Sequence, residues 1–198
     1  DGFSDANVLI LLGEADPTSI VKLGKTGRSV MRKNRINPLL LTANEYLESA
    51  DVFPLEYLDI ADSRKVIFGD DPTGKLDITK SNLRHQVEVQ LRGTVADLRR
   101  TLLASRGRNG ALRKNLKGWF GSQSALLRGL LRLGGEQTIP VNFVSAVQAI
   151  GSVYKIDSAA LEELAKIRGG EKIDAVQAIE RALLCFSELA KKIDAMDV

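Results

Sequence analysis

The sequence predicts an α+β chain, with a short α/β domain over residues 1–78 followed by an up-and-down helical bundle over residues 79–198. Three observations carry this. Short apolar runs bounded by turn residues alternate with amphipathic stretches up to about residue 70. From about residue 80 apolar residues recur every three or four positions, the period of a helix face. The breaks between those stripes are short and marked by glycine or proline, as between neighbouring helices of a bundle.

Val8–Leu12 is the first strand, approached through Ser4-Asp5-Ala6-Asn7, residue types that also favour an ordinary turn. Asp16-Pro17-Thr18 opens a helix with proline at its first position. That helix carries Ile20, Val21, Leu23, Val30 and Met31 and is weakened by Gly24 and Gly27. Lys25-Thr26 does not belong to a phosphate loop, because the required glycine at position 19 is Ser19. Pro38–Leu41 is a second short strand, and Thr42-x-x-Glu45 is a capping box starting a helix that runs to Ala50. Phe53 to Ile60 is expected as a third strand, with Pro54 at its first residue, where a missing N–H costs least.

In the second half, Leu83, Val87, Leu91, Val95, Leu98 and Leu102 stripe one long helix, broken by the glycines and arginines at 106–110. Leu112, Leu116, Trp119, Phe120, Leu126, Leu127, Leu130 and Leu131 stripe the next, which ends at Gly134-Gly135. Pro140 is expected to open a third helix with Phe143, Val144, Val147 and Ile150. Asp157 caps a short fourth that stops before Gly169-Gly170, and Ile173 through Ile193 stripe the last. These stripes read as core.

Composition narrows the function classes. Hydrophobic residues make up 44% and charged residues 27%, the balance of a soluble globular protein. No apolar run approaches the roughly 18 residues of a membrane span, and no secretory signal opens the chain, so a cytoplasmic location without membrane attachment is expected. Cys185 is the single cysteine, which precludes an internal disulfide, and it sits among Leu183, Leu184 and Phe186 as a small hydrophobe. His85 is the single histidine, which precludes a histidine metal cluster and a Ser-His-Asp triad.

The net charge of +3 demands no polyanionic partner. Arg99, Arg100, Arg106, Arg108, Arg113, Lys114 and Lys117 form a local cluster that would attract phosphate. They lack interleaved aromatics for base stacking, and helix-end positions account for them equally well.

Asp5 and Asn7 carry the chemistry. Two apart on a strand, they point to one face. A neighbouring strand bearing Glu56 would add a third oxygen. Clustered oxygen ligands beside an open position are what Mg²⁺-dependent phosphoryl transfer requires.

Ser4-Asp5-x-Asn7 running into Val8–Leu12, with a later acid in Phe53 to Ile60, resembles the nucleotidyltransferase superfamily that includes DNA polymerase β and kanamycin nucleotidyltransferase. The segment Val52–Ile60 followed by Val66-Ile67-Phe68-Gly69 is similar to a bacterial branch in which that domain is joined to a helical one. The resemblance implies Mg²⁺ as cofactor, with Asp5, Asn7 and Glu56 as metal ligands, and Asp5 and Glu56 as the catalytic carboxylates. Asp59 is the next choice for the later acid. It also implies a nucleoside triphosphate as substrate, an acceptor hydroxyl that attacks the α-phosphorus, and a general base from the helical domain, for which Glu88 stands in position. An ion pair with Arg84, four residues away on the same face, explains Glu88 as well.

This chain departs from the family at two places. Asn7 replaces an aspartate, and an amide lends a metal an oxygen without a charge. Two unit charges 4 Å apart interact by about 4 kcal/mol at an effective dielectric near 20, so a divalent site is weakened. The family's Gly-Ser turn and its helix precede the acidic strand, and Asp1 leaves no room for them, so the α/β domain is expected to lack its N-terminal part. Two functions follow: nucleotidyl transfer to a hydroxyl acceptor, in intact or degenerate form, or a non-catalytic binding or assembly module that keeps the fold. A homo-oligomer or a helical partner subunit fits either.

Overall fold

The computed structural model describes residues 6–140 and 142–197, with the side chains of all but 117, 118, 121 and 122. The chain is mostly helical with one small parallel sheet. The elements are β1 (Ala6–Leu12), α1 (Pro17–Lys33), β2 (Ile36–Thr42), α2 (Ala43–Glu48), α3 (Pro54–Ser63), a 3-10 turn at Thr73–Lys75, α4 (Lys80–Ser105), α5 (Asn109–Leu133), α6 (Phe143–Tyr154), α7 (Ala159–Arg168) and α8 (Ala175–Asp194). They form two compact units. One comprises the described part of residues 1–51 with 65–77, the other residues 52–64 with the described part of 78–198.

In the first unit β1 and β2 pair in parallel, in a register that sets Ala6 opposite Ile36, Asn7 opposite Asn37 and Leu12 opposite Thr42. A parallel pair needs a crossover, and α1 supplies it. Asp16 caps α1, its carboxylate accepting from Ser19 N at 2.9 Å, with Pro17 in the first turn. Arg32 and Lys33 close the helix at its negative end. Arg35, at φ 52°, turns the chain into β2 in the left-handed region that non-glycine residues seldom occupy. The capping box at Thr42 forms as expected: Thr42 Oγ1 accepts from Glu45 N at 3.1 Å, and Glu45 Oε2 accepts from Thr42 N at 2.7 Å.

The expected third strand is a helix. Residues 54–63 form α3, and they belong to the helical unit, not to the α/β part in which the sequence placed them. Proline is tolerated both at the start of a strand and in the first turn of a helix, so Pro54 did not decide. Leu55, Tyr57 and Leu58 break strict alternation, and Leu55 and Leu58 three apart give the helix its buried stripe. Phe53 at the N-cap offers no side-chain acceptor, and Gln86 of α4 takes that role. Its Oε1 accepts from Leu55 N at 2.8 Å while its Nε2 donates to Glu56 Oε2 at 3.0 Å.

A glycine seats α3. A Cβ at position 129 of α5 would collide with Leu55 Cδ2 and come within 3.1 Å of Val87 Cγ2. Leu55 and Val87 are both fully buried and have nowhere to move. Farther along α3, Asp59 pairs with Arg128 and with Arg132, the latter at 3.0 Å, and Arg132 also reaches Asp62.

The rest of this unit is one core built from α4, α5 and α8 with α6 and α7 added. α4 and α5 run antiparallel through the turn at 106–108, and the Thr94 hydroxyl donates to Gln123 Oε1 at 3.1 Å midway along them. α8 lies antiparallel to α4, because Arg84 near the start of α4 donates to Ile193 O at the end of α8. The up-and-down alternation breaks at α6. Phe143 at its start meets Phe120 edge to face, with ring centroids 5.2 Å apart, and the Tyr154 hydroxyl at its end donates to Leu130 O at 2.7 Å. α6 therefore runs in the same sense as α5, reached by the return connection at 134–142. Asn142, rather than Pro140, caps it by accepting from Val144 N at 2.8 Å. Among the described residues no helix is long and apolar enough to cross a membrane.

The seat of α3 can be tested against a neutral glycine. Gly129→Ala should destabilise the helical unit by about 1–3 kcal/mol through overpacking. Gly93→Ala in α4, where an added Cβ meets nothing within 4 Å, should stabilise it by about 0.5–1 kcal/mol. Urea unfolding midpoints should shift in opposite directions, and a neutral Gly129→Ala would mean that the seat at 129 is not a tight one.

Candidate functional site

The nucleotidyltransferase resemblance singled out Asp5, Asn7 and Glu56. Asp5 lies outside the described residues. Asn7 stands in β1 opposite Asn37 of β2, exposed at the start of both strands. The Asn37 amide donates to Asn7 Oδ1 at 3.2 Å, so a neutral pair bridges the two strands where the family carries an aspartate. Glu56 is exposed in the first turn of α3, where an acid suits the positive end of the helix, and its carboxylate accepts from Gln86. It is carried by a helix of the second unit, whereas Asn7 belongs to the first.

Asp59, the next choice for the later acid, is committed to Arg128 and Arg132. Among the described residues, no three His, Cys, Asp or Glu side chains gather as a metal would need. The oxygen donors of Asn7 and Glu56 are nonetheless of the hard kind that Mg²⁺ prefers.

Glu88, which the resemblance put forward as a general base, is held between two arginines of its own helix. Its carboxylate accepts from Arg92 Nε at 2.7 Å and from Arg84 Nη1 at 3.3 Å. The Arg92 hydrogen bond, followed by the charges of Arg92 and Arg84, holds its carboxyl below the usual range against a partial penalty from burial. A carboxylate so stabilised is a weaker base than a free one. The ion-pair explanation of Glu88 is the one the geometry favours.

The arginine cluster at 99–117 is divided among structural tasks. Arg100 pairs with Asp97, Arg106 at φ 54° ends α4, and the Arg113 guanidinium donates to Ile173 O at 2.7 Å. Cys185 is buried in the core, and that burial, ahead of the nearby Glu188 and Asp157 charges, pushes its thiol up to about 12.

The first unit holds a basic groove that the sequence analysis passed over. Gly24, Arg28, Met31 and Arg32 of α1, with Arg35, Ile36 and Asn37, line an open depression of about 550 Å³. Its sequence signal is spread over a helix: from Pro17 to Asn44 there are six Lys or Arg residues and no Asp or Glu. Asn37 belongs both to the groove and to the bridge with Asn7.

No family model matches the chain, and neither does any curated protein or solved structure.

The burial of Cys185 has a direct readout. A thiolate-selective disulfide reagent at pH 8 should modify the native protein at least about a thousandfold more slowly than the urea-unfolded chain. Fast native modification would show that α8 opens locally, and would restore Cys185 as a reactive group.

Proposed function

We propose that this chain is a nucleotidyltransferase-like protein, acting by Mg²⁺-dependent transfer of a nucleotidyl group from a nucleoside triphosphate to a hydroxyl acceptor. The observation that carries the reading is the start of β1. The Ser4-Asp5-x-Asn7 motif enters a parallel strand whose partner sets Asn37 beside Asn7, next to a basic groove. A helical unit follows, as in the bacterial branch that the sequence resembles.

In this reading Asp5, Asn7 and Glu56 would be the oxygen ligands that the resemblance implies. Mg²⁺, when bound, would neutralise charge on the phosphoryl oxygens and fix the triphosphate for in-line attack. The chain's own contribution is orientation. The Asn37 amide donates to Asn7 Oδ1 and the Gln86 amide to Glu56 Oε2, contacts that orient the two oxygens.

A second reading, a non-catalytic binding or assembly module, is favoured by a specific observation. Asn7 Oδ1 already accepts a hydrogen bond from Asn37, and an uncharged bridge of this kind needs no metal to be stable.

The two readings part at Asn7→Asp. The new carboxylate keeps the side-chain volume and still accepts from Asn37, so the fold should be unharmed. Under the transferase reading it restores an anionic ligand, and Mg²⁺ should raise the melting temperature of the variant more than that of the parent chain. A tenfold gain in affinity corresponds to about 1.4 kcal/mol of added stabilisation at saturating metal. Glu56→Gln, which retains the hydrogen bond from Gln86, should abolish the Mg²⁺ response. Under the module reading Asn7→Asp lowers the melting temperature through repulsion with Asp5, and Mg²⁺ does not restore it.

A further inference from the structure

We infer that the groove on α1 and β2 is a nucleotide-binding site, with Arg28 and Arg32 holding the phosphates and Gly24, Met31 and Ile36 receiving the base. The inference rests on the preceding reading only for the choice of a nucleoside triphosphate among phosphate-bearing ligands. The groove itself is argued from its own residues.

Its charge is one-sided. Lys22, Lys25, Arg28, Arg32, Lys33 and Arg35 fall within fourteen residues, and the nearest acids in sequence are Asp16 and Glu45. Arg84, Arg92, Arg100, Arg128, Arg132 and Arg181, by contrast, each pair with a carboxylate. Among the described residues, no carboxylate pairs with Arg28 or Arg32. These two lie four apart, so their guanidinium groups neighbour one another on the helix surface and repel. A bound polyanion relieves that repulsion, and planar guanidinium groups suit phosphate oxygens. Arg32 and Lys33 also suit the end of α1 on helix-dipole grounds. Arg28 lies more than a turn earlier, and that explanation does not reach it.

The floor is shaped for a flat group. Gly24 sits inside α1, where glycine weakens a helix, yet a Cβ there would meet nothing within 4 Å. It is therefore not a packing glycine, and its effect is to leave the backbone bare at one end of the groove. Met31 folds back along the helix, its Cε 2.8 Å from where a Cβ of Gly27 would stand. The result is an apolar strip of Gly24, Met31 and Ile36 beside two cationic forks. The volume of about 550 Å³ lies within the roughly 300–1,000 Å³ of small-molecule pockets. The far end is Asn37, bonded to Asn7. A triphosphate lying on Arg28 and Arg32 and running toward Asn37 would thus approach Asn7.

The test is calorimetric titration of the full chain with ATP and with inorganic tripolyphosphate, both without Mg²⁺. Both should bind. Arg28→Gln with Arg32→Gln should weaken both by tenfold or more without lowering the melting temperature, since glutamine is a good helix former. Gly24→Leu should weaken ATP by several-fold and leave tripolyphosphate unchanged, because it fills the floor and spares the charge. Val89→Ala, on the exposed side of α4 in the helical unit, should leave metal-free ATP binding intact. If Glu56→Gln leaves the Mg²⁺ response unchanged while the double arginine variant loses ATP, the transferase reading fails and the groove stands. The inference is overturned if the double arginine variant binds ATP like the parent, or if the parent binds neither ligand. It is equally overturned if a single-stranded RNA oligonucleotide binds through Arg28 and Arg32 and ATP does not compete.

Discussion

The docking of α3 on α4 and α5 decides what the chain can present as a site. The helix has no acceptor of its own at its N-terminus, so Gln86 must cap it from outside. Its buried Leu55 occupies space that only a glycine at 129 leaves open. About one turn of helix then brings Asp59 to Arg128 and Arg132. A cap, a notch and a charged clamp all fix the same rotation of α3 about its axis. That rotation turns Asp59 inward, where its charge is balanced, and leaves Glu56 exposed beside the amide of Gln86. The first and second choices for the later acid are thereby separated: Asp59 is a structural partner of arginine, and Glu56 remains accessible.

The first unit obeys a different balance. Parallel strands are ordinarily covered on both faces, and their side chains are correspondingly buried. In β1 and β2 the apolar residues are only partly covered, and every residue of α1 retains some exposure. Apolar burial therefore contributes less to this unit than to the helical one. Local devices hold it together instead: the Asp16 cap, the capping box at Thr42, the left-handed turn at Arg35 and the register of the strand pair. Side chains not committed to a core are free to serve as surface chemistry, and the basic groove and the Asn7–Asn37 bridge are of that kind.

Much of the helical half was legible because its signals are redundant. The stripe from Leu83 to Leu98 and the glycines at 134 and 135 each give one answer through different physics. Pro54 gave two answers through the same physics, since a missing N–H is equally harmless at the start of a strand and of a helix. The tie is broken by Gly129 and Gln86, which lie far away in sequence, and no local pattern could supply them. The path of α6 was hidden for a similar reason, because the direction of a return depends on contacts such as Phe120 with Phe143 and not on the residues of the turn. The run at 99–117 drew attention through its seven cations, whereas the six on α1 fall within fourteen residues and were passed over; neither run contains an acid. Neutralising partners, more than spacing, separate a binding surface from a solvated helix end.

The two proposals together impose a condition on chemistry. Mg²⁺ held by several carboxylates can strengthen its hold on the phosphoryl oxygens as charge shifts during attack, which is the differential binding that lowers a barrier. Guanidinium groups on α1 would hold the β- and γ-phosphates about as well in the ground state as in the transition state, and such uniform binding lowers KM without raising kcat. Replacing an aspartate by Asn7 removes charge from the first kind of interaction, while Arg28 and Arg32 would add it to the second. A site with that distribution binds nucleotide better than it turns nucleotide over. The ratio of affinity to rate, more than the presence of either, then places the chain between a transferase and a nucleotide-responsive module.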